Sequence, residues 1–237
     1  MQDFSDQVVA VTGAAGVLGR AVVDYFEAHG ARVCAIDLDA AALDQGFPGR
    51  ADDEGHLYLA CDLRERQACV EAAGRTVDHF GRIDVLANIA GGFLMGEPVH
   101  ATSDETWDFL FDLNTRSILN FSSAVVPQML TQNRGRIVNI GARAALRGAA
   151  NMGAYSASKS VVMRLTESMA EELKSKHINV NCILPSIIDT PRNRADMPKA
   201  DFSKWVPASE IAKAVGFLAS HDARMIHGAA LPVEGLS

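Results

Sequence analysis

Tyr155 and Lys159 stand four residues apart in the stretch Gly153-Ala154-Tyr155-Ser156-Ala157-Ser158-Lys159. They fall early in a segment whose pattern predicts a long helix running to about Lys176. Residues i and i+4 share a helix face one turn apart. A lysine charge in that place stabilises phenolate and is expected to draw the tyrosine below its reference pKa of about 10. A tyrosine tuned in this way passes a proton to or from a substrate oxygen or nitrogen near neutral pH. A lone Y-x-x-x-K is ordinarily a surface lysine beside a half-buried aromatic. The pair gains weight here from a nucleotide-type turn near the start of the chain.

That turn follows Val8-Val9-Ala10-Val11-Thr12, an apolar, β-branched run that reads as a buried parallel strand. It leads into Gly13-Ala14-Ala15-Gly16-Val17-Leu18-Gly19, and a helical pattern continues to about His29. Glycines at such a turn let the backbone approach a pyrophosphate resting on the helix N-terminus. The next strand, Arg32 to Ile36, ends in Asp37, 24 residues after Gly13. An acid there can bond adenosine ribose hydroxyls and would repel a 2′-phosphate, which favours NAD over NADP. The ordinary alternative for Asp37 is a strand-end turn residue.

The elements that position these residues alternate along the whole chain. A polar loop around Phe47-Pro48-Gly49-Arg50 precedes a strand from His56 to Cys61, then Asp62-Leu63. A helix Glu65 to Phe80 and a strand Ile83 to Ala87 follow, ending at Asn88-Ile89-Ala90-Gly91-Gly92. Thr102 to Glu105 has the form of a capping box, opening a helix expected to run through Asn114 to about Gln132. Arg136 to Ile140 and Ile178 to Leu184 read as further strands. The segment 186–207 reads as irregular, a substrate lid by its length. A helix from about Ser209 to Ser220 and a strand Ala229 to Val233 close the pattern. Alternation of this kind predicts an α/β, doubly wound parallel sheet with helices on both faces, in one domain over residues 1–237.

Composition agrees with an ordinary globular enzyme: 48% apolar and 22% charged residues in 237. The net charge of −7, without a basic cluster, argues against nucleic acid or an anionic membrane as partners. No apolar run approaches the ~20 residues of a membrane helix. Cys34, Cys61, Cys69 and Cys182 show no C-x-x-C pairing and read as reduced core residues, and no metal site is expected. The acidic first residues lack the pattern of a signal peptide, so the expected compartment is cytoplasmic.

In their order, Thr12-Gly13-x-x-x-x-x-Gly19, Asp62, Asn88-x-Ala90-Gly91, Asn114, Tyr155-x-x-x-Lys159 and Asn181-x-x-x-Pro185 resemble the short-chain dehydrogenase/reductase family over the whole chain. The resemblance implies a single-domain Rossmann fold with a seven-stranded sheet in the order 3-2-1-4-5-6-7. It implies an NAD(H)-dependent oxidoreductase with Tyr155 as proton donor. Lys159 would bind ribose hydroxyls and lower the tyrosine pKa, and Asn114 would hold a proton-relaying water. The implied cofactor set is Gly13, Ala15, Gly16, Val17, Leu18, Gly19, Asp37, Asp62, Leu63, Asn88, Ala90, Gly91, Tyr155, Lys159, Pro185, Ile188 and Thr190. Homodimers or homotetramers are implied as well.

Three positions depart from that family's pattern. Val17 replaces the middle glycine of the turn, and Ser186 replaces the glycine after Pro185. Ala142 stands thirteen positions before Tyr155, where the family carries a catalytic serine. A hydroxyl that polarises a carbonyl in the transition state is ordinarily worth a few kcal/mol. The segments Gly141 to Leu146, Leu184 to Arg194 and Met197 to Trp205 resemble quinonoid dihydropteridine reductases, which are NADH-preferring and work without that serine. Such a substrate is already a good hydride acceptor and needs a proton at nitrogen more than a polarised carbonyl. The expected function is therefore hydride transfer between nicotinamide and a small planar or cyclic carbonyl or imine. Ala142, Phe93, Met197 and Trp205 are candidate substrate contacts, with Leu94 and Met95 beside them. Arg143 and Arg147 could meet an anionic or pterin substrate. Two other readings share the motifs: a non-catalytic NAD-binding sensor or scaffold, and a dehydrogenase of alcohols or cyclic diols.

Overall fold

The computed structural model describes residues 3–50 and 54–236. Seven strands form one parallel sheet: β1 (Val8–Thr12), β2 (Arg32–Asp37), β3 (His56–Ala60), β4 (Val85–Asn88), β5 (Gly135–Ile140), β6 (Ile178–Pro185) and β9 (Ala230–Val233). Two short strands, β7 (Ile188–Asp189) and β8 (Val206–Pro207), pair with each other apart from it. The sheet order is β3-β2-β1-β4-β5-β6-β9. This is the expected topology, its last strand falling ninth in the chain because the two short strands intervene. The order reverses between β1 and β4, and ligands bind outside the strand ends at such a switch point.

Strand sequence explains why both faces are covered. Successive side chains of a strand point to opposite faces. Val9 and Val11 accordingly join a core with Val22 and Phe26 of α1 (Val17–Ala28) and Ile211 and Val215 of α8 (Ala208–Ala219). Val8 and Ala10 join the opposite core, with Phe121 and Val125 of α5 (Ser117–Gln132). An unbroken apolar strand is stable only where both of its faces are buried, as here. The four cysteines are free thiols inside these layers, and burial raises Cys34 to about 12 and Cys182 to about 11.

Several expectations are corrected. The region before Phe47 is a helix, α2 (Ala40–Gly46), capped by Asp39, whose side chain accepts from the Ala41 N–H at 2.9 Å. Phe47 itself is 1% exposed, so the polar loop carries a core residue. α3 spans Arg66–Phe80. The capping residue of α4 (Asp104–Phe111) is Ser103 rather than Thr102, its Oγ accepting from the Thr106 N–H at 3.2 Å. The expected long helix through Asn114 is interrupted by a π-helical turn, Asp112–Arg116, between α4 and α5. α6 covers Gly153–Leu173, with a short 3-10 turn after it. The segment expected to be irregular contains α7 (Pro191–Asp196), which begins with proline in the first turn and is capped by Thr190. Among the described residues no helix is long and apolar enough to cross a membrane.

Candidate active site

The carboxyl edge of the sheet opens into a cleft of about 2140 Å³. At one end lies the turn after β1. Gly13 adopts φ +64°, and a Cβ on it would lie 2.7 Å from Ala90 Cα. A Cβ on Gly19 would run into the Gly13 carbonyl oxygen and lie 2.7 Å from Ala14 Cα. These two positions require glycine because the turn, α1 and the end of β4 are in van der Waals contact. Thr12 ties the same strand ends together, its Oγ1 accepting from the N–H groups of Ile89 at 3.1 Å and Ala90 at 3.3 Å. Gly16 caps α1 without a side-chain bond and no acid lies in the first turn. The helix N-terminus is thus left to the cleft, where its dipole favours an anion. Val17, in place of the family's middle glycine, is 39% exposed and lines the cleft.

Asp37 also lines the cleft, and one of its oxygens accepts from the Ala15 N–H at 2.9 Å. Its other oxygen accepts from the Leu38 N–H at 2.8 Å. The carboxylate is therefore fixed beside the glycine turn. Asp62 lines the same end and is clasped by the Arg64 guanidinium, with contacts of 2.6 to 3.2 Å. Those bonds hold its carboxyl below the usual carboxylate range. The small turn, the open helix end and the placed carboxylate together fit a nicotinamide dinucleotide.

At the other end stand Tyr155 and Lys159, one turn apart on α6 and both lining the cleft. The lysine is buried, and its Nζ donates to the Ile140 carbonyl at 2.9 Å. Burial lowers it from 10.5 to about 8, partly offset by Cys182. Tyr155 moves in the direction opposite to expectation: burial pushes its phenol up to about 12. The lysine is directed at a β5 carbonyl, and within the protein its charge does not outweigh the loss of water around the phenol. A phenol held protonated well above neutrality is a proton donor.

Asn114 lies beneath the cleft, fully buried in the π-helical turn. Its Oδ1 accepts from the Gly92 N–H at 2.9 Å, and its Nδ2 donates to Gly92 O at 3.0 Å and Ser158 Oγ at 3.1 Å. Ser158 in turn donates to the Tyr155 carbonyl at 2.8 Å. Three of the four bonding positions of the carboxamide are thereby used within the protein. Sequence reading did not single out Gly92 or Ser158. The doubled glycine Gly91-Gly92 was the available signal, since a Cβ on Gly92 would lie 2.7 Å from Leu113 Cδ2.

The remaining candidates divide. Ala15, Gly16, Leu18, Leu63, Ala90, Gly91, Ala142, Pro185, Ile188, Thr190, Phe93, Met95 and Met197 all line the cleft. Asn88 does not; its Nδ2 donates to Asn139 Oδ1 at 2.8 Å, which bridges β4 and β5. Trp205 does not either. It is 5% exposed and packs on Phe202 at 4.7 Å, anchoring the segment from below. An indole flanked by a ring and the β8 strand is buried more completely there than on a cleft wall. Phe202 also lies under the Arg194 guanidinium at 4.9 Å, and Arg194 pairs with both oxygens of Asp189 at 2.6 and 2.7 Å. Arg143 lies 3.3 Å from Glu234. Among the described residues no cluster of His, Cys, Asp and Glu could hold a metal ion.

A family model described as short chain dehydrogenase matches residues 7–201. The chain belongs to the short-chain dehydrogenase/reductase family. It is 36% identical to 2-(R)-hydroxypropyl-CoM dehydrogenase of Xanthobacter autotrophicus, covering 97% of both chains. It is 30% identical to a 3-oxoacyl-[acyl-carrier-protein] reductase of Thermotoga maritima, covering 97% of this chain and 96% of that one. The NAD+-bound structure of a xylitol dehydrogenase superposes with TM-score 0.89 at 27% identity, over 98% of this chain and 99% of that one. This short-chain dehydrogenase/reductase is thus an NAD(P)-dependent oxidoreductase. The expected likeness to dihydropteridine reductases finds no counterpart among these relatives.

Proposed function

We propose that this oxidoreductase prefers NAD(H) and acts on a small planar or cyclic carbonyl or imine, with Tyr155 as its acid and base. The observation that carries the reading is that Tyr155 and Lys159 line one cleft with the glycine turn and Asp37, and that Ala142 lines it where the family has its serine. When bound, the nicotinamide cofactor exchanges a hydride with the substrate. Gly13, Gly16 and the α1 N-terminus hold the pyrophosphate, and Asp37 excludes a 2′-phosphate. Lys159, fixed on Ile140 O, donates to ribose hydroxyls. Tyr155 gives its proton to the substrate heteroatom, and Asn114 keeps Gly92 and α6 in register beneath it. Phe93, Met95 and Met197 supply apolar walls suited to a flat substrate. Segment 186–207, braced by Asp189, Arg194, Phe202 and Trp205, forms the lid.

With one hydroxyl donor missing, a substrate that accepts hydride readily and takes its proton at nitrogen suits this site better than a simple ketone. A quinonoid dihydropterin has that chemistry. The test is NADH oxidation with freshly generated quinonoid dihydropterin, cyclic diketones and 3-oxoacyl thioesters in parallel, each repeated with NADPH. Turnover of the pterin or a diketone with NADH preferred supports the proposal. Turnover of the thioesters alone, or equal rates with NADPH, contradicts it. A second reading, oxidation of cyclic diols or polyols, draws on the similarity to xylitol dehydrogenase. NAD+ reduction with those alcohols would favour it.

A further inference from the structure

Gly92 is held on both sides by the Asn114 carboxamide, at 2.9 and 3.0 Å. It also lies flat against its neighbours, since a Cβ there would come within 2.7 Å of Leu113 and 3.2 Å of Phe109. The loop after β4 therefore reaches Phe93 from a fixed point. The Phe93 ring stands 4.8 Å from the Tyr155 ring, centroid to centroid, with the planes at 89°. Edge-to-face contact at this distance is the preferred geometry of an aromatic pair. Phe93 is itself 44% exposed and lines the cleft. A half-exposed aromatic contributes little to a core, yet this one packs on the one tyrosine that lines the cleft.

We infer that Phe93 is a positioning residue that acts through Tyr155: its ring keeps water from the phenol and so holds the tyrosine in its protonated, proton-donating form. The inference deepens the proposed function and rests on Tyr155 as the acid-base group. Several charged groups line this cleft. Lys159 lies on the same helix, Arg143 and Arg147 follow β5, Arg192 and Asp196 belong to α7, and Asp108 and Asp112 come from α4 and the π-turn. The rise of the Tyr155 phenol follows from burial. Removing the covering ring therefore removes part of the cause.

The experiment is carbon-13 labelling at tyrosine Cζ, read by NMR as pH is raised. The chain has three tyrosines, Tyr25, Tyr58 and Tyr155, and Tyr155→Phe assigns the resonance of interest. In Phe93→Ala the Tyr155 midpoint is expected to fall by roughly half a unit or more, about threefold in phenolate at a given pH. Tyr25 and Tyr58, remote from Phe93, should titrate as before and report that the fold is intact. Phe93→Leu, which keeps apolar bulk, should give a smaller fall and serves as the readout should the alanine variant not fold. An unmoved Tyr155 midpoint in the folded variants overturns the inference. Turnover by Tyr155→Phe, measured alongside, separates the two levels: full activity contradicts the acid-base reading, whereas an unmoved resonance contradicts the shielding alone.

Discussion

The Asn114 carboxamide and the Gly92 peptide hold each other twice, N–H to Oδ1 at 2.9 Å and Nδ2 to O at 3.0 Å. A π-turn offers its backbone an extra residue, and here that residue is turned inward to make this clamp. Asn114→Ala leaves the Gly92 amide and carbonyl without that partner in a partly buried place and takes one of two partners from the buried Ser158 hydroxyl. Each such group costs about 1–3 kcal/mol. Urea unfolding should show a loss of roughly 2–4 kcal/mol, and turnover should drop even where NADH still binds.

Lys159 makes stability depend on pH in a definite window. Its folded value, about 8, lies below its ordinary 10.5. Between these the unfolded chain holds the proton and the folded chain does not, so stability rises with pH there. It is fully gained above 10.5 and lost as pH falls through 8. Lys159→Met lacks this dependence. The wild type should therefore gain on the variant by about 3 kcal/mol between the two ends of the window. Denaturant titrations at several pH values check this, and a flat difference would mean that the ammonium is not buried.

Asp37→Ala should weaken the preference for NADH. The substitution removes the carboxylate that lines the cleft and is fixed by the Ala15 and Leu38 N–H groups. The ratio of kcat/KM for NADH to that for NADPH is expected to fall at least tenfold, about 1.4 kcal/mol. Gly19→Ala tests the turn itself. A Cβ there would collide with the Gly13 carbonyl, so it should cost roughly 1–3 kcal/mol of stability and weaken NADH binding.

Most of the sheet was legible because its central strands are buried on both faces and read as short apolar runs, as in Val8–Thr12 and the Val33 to Ile36 stretch of β2. Helix α1 was legible through the glycine turn that must precede it. What escaped was structure decided by tertiary contact. The π-turn at Asn114 has no periodicity signature over five residues, and it exists because the carboxamide must reach Gly92. α7 is a single capped turn within a polar segment. Trp205 looked like a cleft wall because sequence gives an aromatic's size but not its facing. The direction of the Tyr155 shift was misread for a related reason. Spacing places a lysine on the same face, but only the fold shows that its ammonium is directed at Ile140 and that the phenol is sheltered.

Ala142→Ser supplies the hydroxyl that the site lacks. With a ketone substrate it should raise kcat by roughly 10²-fold, the usual scale for one transition-state donor. With a substrate protonated at nitrogen it should leave kcat unchanged. Comparing the two classes on the same variant tests whether the missing serine is matched to the substrate.

The central claim is that Tyr155 delivers the proton. The most direct measurement is the NADH oxidation rate of Tyr155→Phe beside the wild type, on whichever substrate of the panel is turned over, with NADH affinity measured independently. The expected result is a fall in kcat of about 10²-fold or more, the scale of general acid catalysis, with NADH affinity unchanged. A Tyr155→Phe enzyme that turns over at the wild-type rate would contradict it.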